Sequence, residues 1–164
     1  MKFYFSALIA LTLMSCKSLE SLENKPDCPK GYECKTEVVT NTSILVLEDS
    51  IGKNYIKMMD SEDYNVVKYT YLYKGRPEIA DDTYSEAIYF QVPKKENKME
   101  LTDKTLSNLN LIVQKLCFCP DAGYELVKEG HLKIEKHKNT YNIKLDFKTE
   151  KNMRLNGLQA SVGF

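Results

Sequence analysis

Thr140-Tyr141-Asn142-Ile143-Lys144-Leu145-Asp146-Phe147-Lys148 is the stretch that decides the fold class. In an extended chain Tyr141, Ile143, Leu145 and Phe147 fall on one side, and Asn142, Lys144, Asp146 and Lys148 on the other. Side chains alternate across a strand with a period of two. The pattern therefore predicts a strand with one buried and one wet face, as antiparallel sheets have.

Reading outward, the neighbours continue a meander. Upstream, Tyr124 to Lys128 and His131 to Lys136 read as strands, with turns at Glu129-Gly130 and Lys138-Asn139. Downstream, Leu158, Ala160, Val162 and Phe164 alternate to the C-terminus. Phe164 resembles the aromatic end of an outer-membrane barrel strand, but a barrel wall needs apolar lipid faces and these strands are rich in lysine. Nearer the N-terminus, Lys35 to Thr40, Ser43 to Glu48, Tyr55 to Met59, Val66 to Lys74 and Tyr84 to Val92 are further strands. Ile44-Leu45-Val46-Leu47 is a continuous apolar run, which predicts burial on both faces. Many short strands between turn signals predict an all-β fold, an antiparallel β-sandwich or a partly closed barrel with a disulfide-tied N-terminal segment.

Leu109 to Cys119 admits two readings. Leu106, Leu109, Val113 and Leu116 fit a helical stripe with Thr102 or Asp103 as cap. The Cys-Phe-Cys end does not fit that spacing, so the chosen reading is a turn near 103–108 followed by a strand.

Met1 to Cys16 is of another kind. Lys2 gives a positive start, Phe3 to Met14 is apolar apart from Ser6 and Thr12, and Leu13-Met14-Ser15-Cys16 follows. The run is too short for a membrane-spanning helix, which needs about 20 apolar residues. A charged start, a short apolar centre and a small residue at the cut describe a secretory signal. Leu13-x-Ser15-Cys16 resembles the lipobox of bacterial lipoproteins. The resemblance implies removal of residues 1–15, acylation of Cys16, a polar tether over 16–27 and a single β-rich domain over 28–164. Acyl chains bind a membrane at about 0.8 kcal/mol per buried methylene, so several chains anchor without any membrane-seeking surface. Lys17 is not the aspartate associated with inner-membrane retention, which favours the outer membrane.

Setting Cys16 aside, Cys28, Cys34, Cys117 and Cys119 remain. An even number in an exported domain predicts two disulfides. Cys117 and Cys119 would share a strand face, and joining them to each other would tax the narrow geometry of the bridge. The favoured pairing links this pair to Cys28 and Cys34. The alternative is a local Cys28–Cys34 bridge, with Cys117 and Cys119 left free or joined to each other.

Lys plus Arg and Asp plus Glu both number 23. With no basic stripe, nucleic acid is not an expected partner. Tyr69, Tyr71 and Tyr73 form a row that suits either a binding platform for a glycan or peptide or, since Val67 lies beside them, a core face. Asp60-Ser61-Glu62-Asp63 with Asn65 lacks the spacing and glycine of a calcium loop. Asp81 and Asp82 would act together only in a loop. His131 and His137 have no further ligands at a recognised spacing, so no metal or other cofactor is expected. No nucleophile-elbow, zinc-protease, phosphate-loop or dinucleotide pattern occurs.

With Cys28-Pro-x-Gly-x-x-Cys34, Cys117-Phe-Cys119 and Gly123-Tyr124 in view, the chain resembles small envelope lipoproteins of the Bacteroidetes kind. The resemblance carries no activity and no catalytic residues. The expectation is a non-enzymatic envelope domain, held to the membrane by lipid, that binds a protein or envelope polymer. Two alternatives are a small barrel carrying an apolar ligand and an envelope thiol-redox protein using Cys117 and Cys119.

Overall fold

Alternating strands build the protein. A computed structural model describes Cys28 and residues 30–164. The expected signal, Cys16 and the tether lie outside the described residues. The strands are β1 (Glu33–Val39), β2 (Thr42–Glu48), β3 (Asn54–Asp60), β4 (Tyr64–Tyr73), β5 (Tyr84–Pro93) and β6 (Lys98–Thr102). A 3-10 helix, Asp103–Leu109, precedes β7 (Ile112–Leu116), β8 (Gly123–Leu126), β9 (Glu129–His137), β10 (Thr140–Lys148) and β11 (Gly157–Gly163).

These strands make three antiparallel layers. A five-stranded sheet runs β1-β4-β5-β7-β8 and a four-stranded sheet runs β11-β10-β9-β6. Val67, Tyr69, Ile88, Phe90 and Val113 from the first meet Leu132, Ile134, Tyr141, Ile143, Leu145 and Leu158 from the second. The space between the sheets is thus filled by side chains, and neither sheet closes into a barrel. Full burial of one such side chain stabilises by about 1.5–3 kcal/mol. The β2-β3 hairpin lies on the other face of the five-stranded sheet, where Ile44 packs with Val66, Ala87, Tyr89 and Ile112. The fold is a β-sandwich with a hairpin on its back.

Two sequence expectations need correcting here, and one strand went unread. The apolar run in β2 is not buried on both faces: Ile44 is 4 % exposed but Leu45 is 44 % exposed. A two-stranded hairpin has a single sheet beneath it, so its outer face meets water. Strand β6 was hidden in a charged run, yet Met99 and Leu101 alternate inward against the core. Its Lys98 and Glu100 suit an edge strand, where charge discourages pairing with other chains. Glu129-Gly130 is the start of β9 rather than a turn. Gly130 pairs with Phe147 at φ +151°, and a Cβ there would meet the Asp146 carbonyl and lie 2.9 Å from Phe147 Cα.

The ambiguous stretch divides. Residues 103–109 form the 3-10 helix, with Leu106 and Leu109 buried and the Thr102 amide donating to Thr105 Oγ1 at 2.9 Å. Asn110, at φ 48°, ends it. The strand that follows stops at Leu116, before the cysteines.

Candidate functional site

The strand pairing fixes a row of side chains across four strands: Cys34 opposite Tyr71, Tyr71 opposite Glu86, and Glu86 opposite Lys115. Residues directly opposite one another share a face. This row closes one end of the space between the sheets. It also decides the disulfides. Three strand spacings of about 4.8 Å put Cys34 about 14 Å from the Lys115 position, just before Cys117. Cα atoms more than about 7 Å apart cannot be bridged without backbone movement. The favoured long-range pairing is therefore wrong. Among the described residues Cys28 joins Cys34, with Cα atoms 5.7 Å apart, and Cys117 joins Cys119, at 5.3 Å. The chain-entropy model assigns roughly 2 kcal/mol to the first loop and roughly 1.5 kcal/mol to the second, far below a long-range bridge.

Around the second bridge the chain presents apolar surface. Phe118, between the two cysteines, is 91 % exposed, and Leu116 is 56 % exposed. Cys117 and Cys119 are each half-buried. Behind the loop lies a polar cluster. Lys115 is buried, and its Nζ donates to Asp121 Oδ2 at 2.7 Å, Asp121 Oδ1 at 3.0 Å and the Asn152 carbonyl at 2.7 Å. The hydrogen bond from Lys115 holds the Asp121 carboxyl below its ordinary value, with further help from the Asn152 amide. The two sulfurs and an Asp121 carboxylate oxygen lie within 4.8 Å of one another.

Glu86 anchors the segment above this cluster. It is 1 % exposed and accepts the amides of Arg154 at 2.6 Å and Leu155 at 2.7 Å, together with the Tyr84 hydroxyl. Burial, then the hydrogen bond to Glu86, raises the Tyr84 pKa well above its ordinary value. The Arg154 guanidinium sits 5.2 Å from the Tyr32 ring centre and 5.4 Å from that of Tyr84. A cation between two aromatic faces is held by their negative centres.

The other expected sites do not assemble in this way. Tyr69 and Tyr71 are 2 % and 4 % exposed and belong to the core, with Tyr32 stacked on Tyr71 at 4.3 Å. Tyr73 is half-buried at the end of the row, near Tyr32. The three rings therefore form no open platform. Asp60 ends β3, Asp63 pairs with Lys95 at 3.5 Å, and Asn65 turns inward to Tyr141. His131 contacts Glu100 at 2.9 Å, and His137 lies 3.9 Å from Glu135. Asp82 is held by Arg76 at 3.1 Å, while Asp81 sits at φ 60°.

Glu86, Lys115, Asp121 and Arg154 were not singled out from the sequence. One signal was available: Glu86 shares the parity of Ile88, Phe90 and Val92, an acid in a buried phase. The partners of Arg154 come from distant segments and leave no local pattern. No family model matches the chain, and comparisons with curated proteins and with solved structures find no match.

Proposed function

We propose that this protein is a lipid-anchored envelope protein whose sandwich domain binds a protein or envelope polymer. The observation that carries the reading is the joining of all four cysteines after Cys16 into two bridges. Disulfides persist outside the reducing cytosol, which agrees with the signal-like start and its terminal Cys16. Acylation at Cys16 supplies membrane attachment, and the outer membrane is the favoured location because Lys17 follows. The domain itself then needs no lipid-seeking face.

Binding rather than turnover is supported by where the apolar side chains sit. Leu45, Tyr55 and Met59 are 44 %, 43 % and 41 % exposed on the outer face of the β2-β3 hairpin. The hairpin is fastened from beneath: the Ile44 amide donates to Gln91 Oε1 at 3.1 Å, and Asn110 Nδ2 donates to the Ile44 carbonyl at 2.8 Å. A rigidly held surface loses little entropy on binding.

The test is metabolic labelling with a clickable fatty acid in a bacterial host. The full chain takes up label and fractionates with membranes, and Cys16→Ala does neither. Equal labelling of the wild type and Cys16→Ala, or recovery of the wild type as a soluble cytosolic protein, overturns the reading.

A further inference from the structure

We propose that the Cys117–Cys119 bridge is a thiol–disulfide exchange site, whose substrate is an exposed dithiol segment of another protein met by the Phe118 ring. The inference does not depend on lipid attachment.

The fold around the bridge is held by other contacts as well. It joins residues only 2 apart in sequence, so it restrains the unfolded chain little. Both flanks are held without it. On one side Ile112–Leu116 is paired in the sheet as β7. On the other, Asp121 is fixed by Lys115, by the Asn152 amide at 3.1 Å and, through its carbonyl, by Lys151 Nζ at 2.8 Å.

The bridge is also within reach. Cys117 and Cys119 are half-buried on a surface loop, where an attacking thiolate can approach them. Phe118 stands almost wholly in water between them, with exposed Leu116 beside it. Apolar side chains flanking a reachable disulfide suit a peptide segment whose cysteines lie among apolar residues. A metal ion would need both sulfurs free, and here they are joined to each other.

The exchange balances with the dithiol alone. A substrate thiolate attacks one sulfur of the bridge, and the S–S electron pair leaves on the other sulfur, which takes up a proton. The second substrate thiolate then attacks the substrate sulfur of the mixed disulfide; the substrate–protein S–S bond breaks, and its electron pair leaves on the protein sulfur, which takes up the second proton. The substrate leaves as a disulfide, having given two electrons to Cys117 and Cys119, and the two protons they take up balance those its thiols released on ionising. The reverse sequence restores the bridge from a partner disulfide.

The experiment mixes the oxidised full chain, free of oxygen, with a reduced synthetic peptide bearing two cysteines among leucines. Acid quenching, alkylation and mass spectrometry then locate the new thiols. Thiols are expected at Cys117 and Cys119 at least about tenfold faster than at Cys28 and Cys34, with one peptide oxidised per bridge opened. Phe118→Ser slows the reaction with the peptide but not with dithiothreitol, a split that a purely structural role would not produce. A Cys117–Cys119 bridge that opens no faster than Cys28–Cys34, or a Phe118→Ser rate equal to wild type with both reductants, overturns the proposal. The Cys117→Ala/Cys119→Ala chain should oxidise the peptide only at the slower rate of its remaining Cys28–Cys34 bridge; if it does not fold, the wild-type comparison of the two bridges decides alone.

Discussion

Asn65 Nδ2 donates to the Tyr141 hydroxyl at 3.1 Å, across the two sheets of the sandwich. The residues are 2 % and 0 % exposed. Asn65 Oδ1 also accepts the Asn41 amide at 3.0 Å, which ties in the turn between β1 and β2. A buried polar group left without its partner costs its full desolvation. Tyr141→Phe is therefore expected to cost about 1 kcal/mol, and Asn65→Ala about 2–3 kcal/mol, in urea unfolding. The double variant should cost less than the two added together, because the residues share one interaction.

Glu86 is the second such point. Two amides and a hydroxyl converge on one buried carboxylate. Glu86→Ala leaves all three unpartnered and should cost about 3 kcal/mol. Hydrogen exchange locates the effect: the amides of Arg154 and Leu155 lose protection first, while that of Leu132 in β9 keeps it.

The tyrosines set the alkaline limit of stability. Burial is the largest cause raising Tyr71, Tyr84, Tyr89, Tyr124 and Tyr141 above 10.0, with Tyr89 pushed up to about 12. A folded-state value above the unfolded one means the stabilisation is complete below pH 10 and is lost as pH rises through the folded values. Absorbance titration should show these tyrosines ionising late and together with loss of the fold. Smooth ionisation near pH 10 with the fold intact would contradict this burial.

The acid side has the opposite sign. Hydrogen bonds from Lys115 and Arg76 lower Asp121 and Asp82 below 3.8. Their contribution is complete above pH 4 and disappears as pH falls through the folded values. Asp121→Asn should flatten the fall of the unfolding midpoint below pH 4 relative to wild type, measured at several pH values.

Much of this architecture is written locally. Tyr141 to Phe147 and Val67 to Tyr73 alternate because each covers one core, and the structure places both as strands. The Tyr69 and Tyr71 rings resolve as core for the same reason. What could not be read locally depends on strand order. Cys34 and Lys115 stand at opposite ends of a four-strand row, and no spacing in the chain reveals that β4 and β5 come between. Strand β6 was masked by lysine and glutamate because an edge strand tolerates charge on its open side. Arg154 and Glu86 meet only through a loop that folds back over the sandwich end.

Mass spectrometry of the protein purified from its native cells, with peptides mapped under non-reducing conditions, bears on the reading most directly. The expected chain starts at an acylated Cys16, with Cys28 joined to Cys34 and Cys117 to Cys119. A chain starting at Met1 with an unmodified Cys16 thiol and unpaired cysteines would contradict it.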